Sequence, residues 1–286
     1  MVLLGGTLYG TMSSFVKLSY KEGFTVAQIS FWQAFISAII LTICTITSLK
    51  EPQPLSKKGY FPLLLTGASI GLTNFLYYAS VFYIPASLAI IILMQFTWFS
   101  LLLEWIIFRH KPSVTELTTT FFILIGTLLA GNIFELNVHD FSLKGITLAF
   151  SSSITYAVYI MANSRVGKGI NWKPKSMFIM IGSSLCILLI NTNQIINTNY
   201  LAPNFLAWAV FLAVIGTTIP TALFSIGFSK IGASISSILM TVELPVAVMC
   251  AALILHERIN SVQMGGVIIM LTSISAMNYY KATKTH

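Results

Sequence analysis

An all-α integral membrane protein, built as ten transmembrane helices in two inverted five-helix repeats, is the fold class this sequence predicts. Three observations lead there. Of the 286 residues 56% are hydrophobic and 8% charged, with a mean hydropathy of +0.85, whereas a soluble domain averages about 25% charged residues. The apolar residues are gathered into runs of membrane-crossing length. A shift of 147 residues (84 to 231) lays one half of the chain on the other, span upon span.

The runs fall, in order, at about 2–18, 27–49, 60–82, 86–108, 115–133, 143–161, 176–190, 205–229, 232–255 and 261–279. The first has no basic leader or small-residue cleavage site and reads as a retained helix, not a signal peptide. The seventh is short enough to need help from its flanks. Connections are short throughout, and none is long enough to fold as a separate soluble domain.

Loop charge is segregated across these ten spans. On the side of the N-terminus lie Lys50, Lys57, Lys58, Arg109, Lys111, Arg165, Lys168, Lys173, Lys175, Lys230, Lys281 and Lys284; on the other are only Lys17, Lys21, Lys144 and Arg258. The positive-inside bias then predicts both termini in the cytoplasm and the charge-free loop 191–204 outside. A nine- or eleven-span count would scramble the segregation. The excess of 16 basic over 8 acidic residues therefore reports orientation in a lipid bilayer, and nucleic acid is not an expected partner. Cys44, Cys186 and Cys250 sit in apolar runs without metal-ligand spacing and read as packing residues, so neither a disulfide framework nor a metal is expected. No Asn-x-Ser/Thr acceptor occurs, which points to a bacterial inner membrane in preference to a secretory pathway.

The repeat places Ile84-Pro85-Ala86-Ser87 on Ile231-Gly232-Ala233-Ser234 and Tyr9-Gly10 on Tyr156-Ala157. From Ile84/Ile231 to Phe108/Leu255 only five of 25 pairs are identical, so the register of the span ends is the stronger signal. Five crossings per half is an odd number, which obliges the halves, 1–139 and 140–286, to enter from opposite faces.

Within the ninth run the one charge is Glu243, about 18 Å from either end and near the midplane, two residues before Pro245. A carboxylate there costs at least a few kcal/mol unless it meets water, a partner or a solute. Pro245 removes a backbone donor, so polarity and deformability coincide.

The hairpin Tyr83-Ile84-Pro85-Ala86-Ser87-Leu88-Ala89 after Tyr77-Tyr78-Ala79, its counterpart Lys230-Ile231-Gly232-Ala233-Ser234, then Glu243-Leu244-Pro245 and His256-Glu257-Arg258 with Gln263-Met264-Gly265-Gly266, resemble the EamA-type branch of the drug/metabolite transporter superfamily. The resemblance covers almost the whole chain. The first half departs from it, with Arg109-His110-Lys111 opposite His256-Glu257-Arg258 and Phe96 opposite Glu243. It implies a ten-helix carrier whose central cavity is lined mainly by spans 1, 3, 4, 6, 8 and 9.

Candidate solute contacts in those spans are Glu243, the helical pair Asn74 and Tyr78, the pair Gln95 and Trp98, Tyr156 and Tyr159 beside Ser151–Ser153, and Thr217 and Thr221, with Pro220 and Pro245 as gating points. Each also has a structural interpretation. Glu243 could be a protonated acid bonded to a neighbouring hydroxyl, the amides could join helices, and the aromatic residues could be packing or interface groups. Glu104 lies nearer a helix end, where it can reach water or a base. Gly67-x-x-x-Gly71 and Gly126-x-x-x-Ala130 allow close helix contact within the bundle or in a homodimer.

The resemblance implies a secondary transporter of a small polar metabolite, an amino acid or related amine-bearing solute, often exported, working by alternating access without a cofactor. Glu243 would receive the ammonium group or titrate as the site of a coupling proton. Efflux of lipophilic cations and a non-transporting membrane subunit are the alternatives. An enzyme is not expected, since HExxH, GxSxG and GxxxxGK[ST] are all missing and no second mid-span acid pairs with Glu243.

Overall fold

The computed structural model describes residues 1–48, 57–132, 142–196, 203–256 and 258–284. Lys50, Glu257, the boundary near 139 and part of the loop 191–204 fall outside them. Among the described residues all regular structure is helical: α1 (Val2–Lys21), α2 (Val26–Ser48), α3 (Lys57–Ser80), α4 (Ala86–Leu93), α5 (Phe96–Phe108), α6 (Val114–Ala130), α7 (Leu143–Arg165), α8 (Trp172–Ile196), α9 (Pro203–Phe211), α10 (Ile219–Ile231), α11 (Ala233–Met240), α12 (Glu243–Leu255) and α13 (Ser261–Lys284). A π-helical segment, Leu212–Thr218, joins α9 to α10.

Among the described residues seven helical stretches are long and apolar enough to cross a bilayer, and α6 is a shorter apolar one. The chain is a multi-pass membrane protein. Helices α1 and α3 are long but less apolar. They carry Tyr9, Gly10, Thr73, Asn74, Tyr77 and Tyr78, which line an internal cavity. The seventh predicted run proves to be a 25-residue helix, because Trp172, Lys173 and Lys175 extend it at one end, and a kink at Asn191 (φ −122°) precedes its last residues.

The fourth and ninth runs are each broken near the middle. Between α4 and α5 the break falls at Met94 and Gln95, and between α11 and α12 at Thr241 and Val242. These positions coincide under the 147-residue shift. So do the ends of the following helices, where Arg109 (φ 59°) and His256 (φ 56°) both adopt the left-handed conformation that closes a helix. Packing partners also come in matched pairs: α1 against α12 with α7 against α5, and α3 against α7 with α10 against α1.

Small residues bring these helices together. A Cβ added at Gly67 would collide with the Ile179 carbonyl oxygen, and one at Gly182 with that of Leu64, so α3 and α8 meet backbone to backbone. Gly126 and Gly266 do the same for α6 and α13. These are contacts within the bundle. The central core packs Phe96, Tyr156, Tyr159, Phe224, Phe228 and Met240 together.

Candidate functional site

Glu243 is the first residue of α12, immediately after the break, and is 8% exposed. Its Oε2 accepts a hydrogen bond from the Tyr156 hydroxyl at 3.2 Å. The Tyr156 ring lies 4.6 Å from that of Phe96, the residue at Glu243's register in the first half. One tyrosine thus touches both mirror positions. Gly10 on α1 lets that helix approach: a Cβ there would stand 2.5 Å from the Glu243 carbonyl oxygen.

Glu243 faces a cavity of about 50 Å³. Its polar wall is Tyr9, Gln33, Thr73, Asn74, Tyr77, Tyr78 and Tyr156, and its apolar wall is Met12, Ile90, Leu93 and Ala247. Asn74 adjoins the Tyr9 phenol and Gln33 that of Tyr78. Gly216, in the π-helical segment, completes it. Thr73 donates to Thr155 at 2.8 Å while itself bonded to the Ser69 carbonyl, which ties α3 to α7 beside the cavity.

Tyr77, Ile90 and Ala247 also line a neighbouring vestibule of about 140 Å³. Its outer walls include Ser14, Lys17, Ala251 and Arg258, so it leads toward the ends of α1 and α12. At the opposite end the bundle is tied shut. Glu104 on α5, 4% exposed, accepts from Arg165 at the end of α7 at 2.7 Å, and its other oxygen accepts from the Ser234 backbone N–H at 2.8 Å and from the Ser234 hydroxyl. One carboxylate therefore joins α5, α7 and α11. Beside it the buried Lys175 ammonium donates to the Asn163 carbonyl at 2.6 Å and to the Ser229 hydroxyl at 2.7 Å, adding α8 and α10 to the same closure. A further ion pair, Lys281 with Glu116 at 3.3 Å, joins α13 to α6.

Of the residues singled out from sequence, Glu243, Asn74, Tyr78 and Tyr156 line the cavity together. Gln95 and Trp98 do not. They bond to each other, Trp98 Nε1 donating to Gln95 Oε1 at 2.9 Å, and the Gln95 amide donates to the Ile91 carbonyl across the break. Tyr159 lies behind the wall, stacked on Tyr156 at 6.2 Å and accepting from Asn163 at 3.1 Å. Thr217 donates to the Leu212 carbonyl within the π turn, and Thr221 faces the Met180 sulfur. Pro220 follows the π segment, and Pro245 sits in the first turn of α12, where a missing N–H breaks no helical bond. The discontinuity beside Glu243 thus precedes the proline.

Tyr9, Gln33, Thr73 and Tyr77 were not singled out. Tyr9 had a visible sign, since it is the partner of Tyr156 under the repeat shift. Gln33 is an amide within an apolar run, but in the second span, outside the set the resemblance implied.

Comparison with known proteins adds three findings. The profile of the EamA-like transporter family matches residues 1–132 and 143–279. A protein of Synechocystis sp. named an uncharacterized transporter is 26% identical over 268 residues, covering 88% of this chain and 78% of the relative. A solved crystal structure of a protein superposes with a TM-score of 0.78 at 10% identity, covering 96% of this chain and 95% of that one, a likeness of fold.

Proposed function

This chain belongs to the EamA-like transporter family, and from that premise we propose that it is a secondary carrier of a small amine-bearing solute, an amino acid or a relative of one. The carrier crosses an inner membrane ten times as two inverted five-helix repeats, 1–139 and 140–286, with both termini in the cytoplasm. The matched breaks and matched helix ends support the repeat, and the charge segregation of the loops supports the orientation.

The observation that carries this reading is Glu243 at a mid-span helix break, facing a tyrosine-lined cavity. An intramembrane acid at such a point is suited to an ammonium group, and the tyrosine faces add cation–π attraction. The bundle's two ends differ as alternating access requires. The Glu104–Arg165–Ser234 tie closes the cytoplasmic end, while the vestibule by Lys17 and Arg258 leads from the opposite face toward the cavity. Release of that tie would expose Glu243 to the cytoplasm, and exchange of a proton for the solute cation would leave the carboxylate neutralised in both half-cycles, by the ammonium in one and by the proton in the other.

Flux into proteoliposomes, with and without a pH gradient, tests the proposal. The expected result is saturable transport of an amine-bearing solute that Glu243→Gln lowers by about a hundredfold and makes insensitive to the gradient. Unchanged flux and unchanged pH response in that variant would remove Glu243 from the mechanism.

A further inference from the structure

The cavity at Glu243 has a one-sided chemistry. Its charged group is an acid, Glu243, and among the described residues the remaining lining is phenols, amides, a threonine and apolar side chains. An α-amino acid carries its carboxylate one carbon from its ammonium, so both groups would enter the same small space. There the second carboxylate meets the field of the first at short range and low dielectric.

Three backbone amides flanking Glu243 do not offset this. A broken helix can turn free amides toward an anion, but here the Thr241, Val242 and Leu244 N–H groups donate to the carbonyls of Ile238, Leu239 and Thr241 at 3.3, 3.4 and 3.3 Å. At the mirror break Gln95 and Thr97 donate likewise to Ile92 and Met94 at 3.1 and 3.2 Å. Lys17 lies two turns beyond Tyr9 along α1, about 12 Å away, and Arg258 lies beyond the end of α12. Both belong to the vestibule.

Among the described residues the one ion of the lining pairs with an ammonium, and the neutral amides, hydroxyl and phenols can accept from it as well. A primary ammonium has N–H donors for the carboxylate and for neighbouring amide, hydroxyl or phenol oxygens. A quaternary ammonium offers no N–H to any of these oxygens. We infer that the solute is a primary organic amine carried as its cation and lacking a free carboxylate, its nitrogen on Glu243 and its carbon frame against Met12, Ile90, Leu93 and Ala247. This rests on the carrier reading above and narrows its solute class.

The test is binding to the purified full-length protein, by calorimetry, with two matched series: leucine, its methyl ester and isoamylamine; phenylalanine, its methyl ester and phenethylamine. In each series the amine and the ester are expected to bind about a hundredfold more tightly than the zwitterion, and Glu243→Gln is expected to abolish that preference. The unmodified protein decides the matter through the ligand series even if the variant does not fold. Free amino acids binding as tightly as their esters would overturn the class while leaving an amino-acid carrier standing. Failure of all six compounds to bind would overturn the amine proposal together with the reading it rests on.

Discussion

Glu243 stands at the start of α12 withdrawn from water, which disfavours its charge. The Tyr156 hydroxyl donates to its Oε2 at 3.2 Å. Tyr156→Phe keeps the ring on Phe96 and removes the hydrogen bond. A hydrogen bond contributes about 0.5–1.5 kcal/mol, so solute flux at low concentration should fall several-fold with little loss of folded protein. Parallel flux and thermal-unfolding measurements check this. Equal flux in Tyr156→Phe and the unmodified protein would reduce Tyr156 to packing.

At the scale of elements, helix position says more about Pro245 than composition does. It occupies the first turn of α12, where proline is tolerated, so Pro245→Ala should move the melting temperature in detergent by less than about 2 °C. A fall of many degrees would mean that the ring braces the break. The α3–α8 contact is the opposite case. Gly182→Leu would drive a side chain into the Leu64 carbonyl and should cost about 1–3 kcal/mol or more, visible as a clear loss of thermal stability. An unchanged melting temperature would show that the two helices can separate freely.

Hydropathy made most helix positions legible in the sequence, because lipid exposure demands continuous apolar runs. It could not show where α4 gives way to α5 or α11 to α12, since Met94, Gln95, Thr241 and Val242 carry no breaker signal such as glycine or proline. Nor did it separate Tyr78, which lines the cavity, from Tyr159, which lies behind its wall. Both are tyrosines on interior helix faces, and only the rotation of each helix distinguishes them. Glu243 stands out as the one charge of its apolar run, and the bond from Tyr156 fits both readings of it, a solute site and an acid held by a neighbouring hydroxyl. Gln95 and Trp98 looked equally suitable, yet they satisfy each other across three residues.

For the whole molecule, the tie at Glu104 predicts a conformational bias. In a background without Cys44, Cys186 and Cys250, a Ser237→Cys reporter is buried just inside Ser234. Adding Glu104→Gln weakens the hold of α5 on α7 and α11. The reporter should then react several-fold faster with a membrane-impermeant maleimide supplied from the face bearing Arg165. Unaltered labelling would mean that other contacts, such as Lys175 with Ser229, suffice to keep that face shut.

The backbone of this protein is doubled, but the acid that faces the cavity is single: Phe96 occupies in one half the register that Glu243 holds in the other, and one tyrosine touches both. With the role proposed for Glu243, duplication of the scaffold does not duplicate the cargo. Saturating the purified carrier with its solute should count one molecule per chain, and each turnover should move one such molecule, whichever direction it travels.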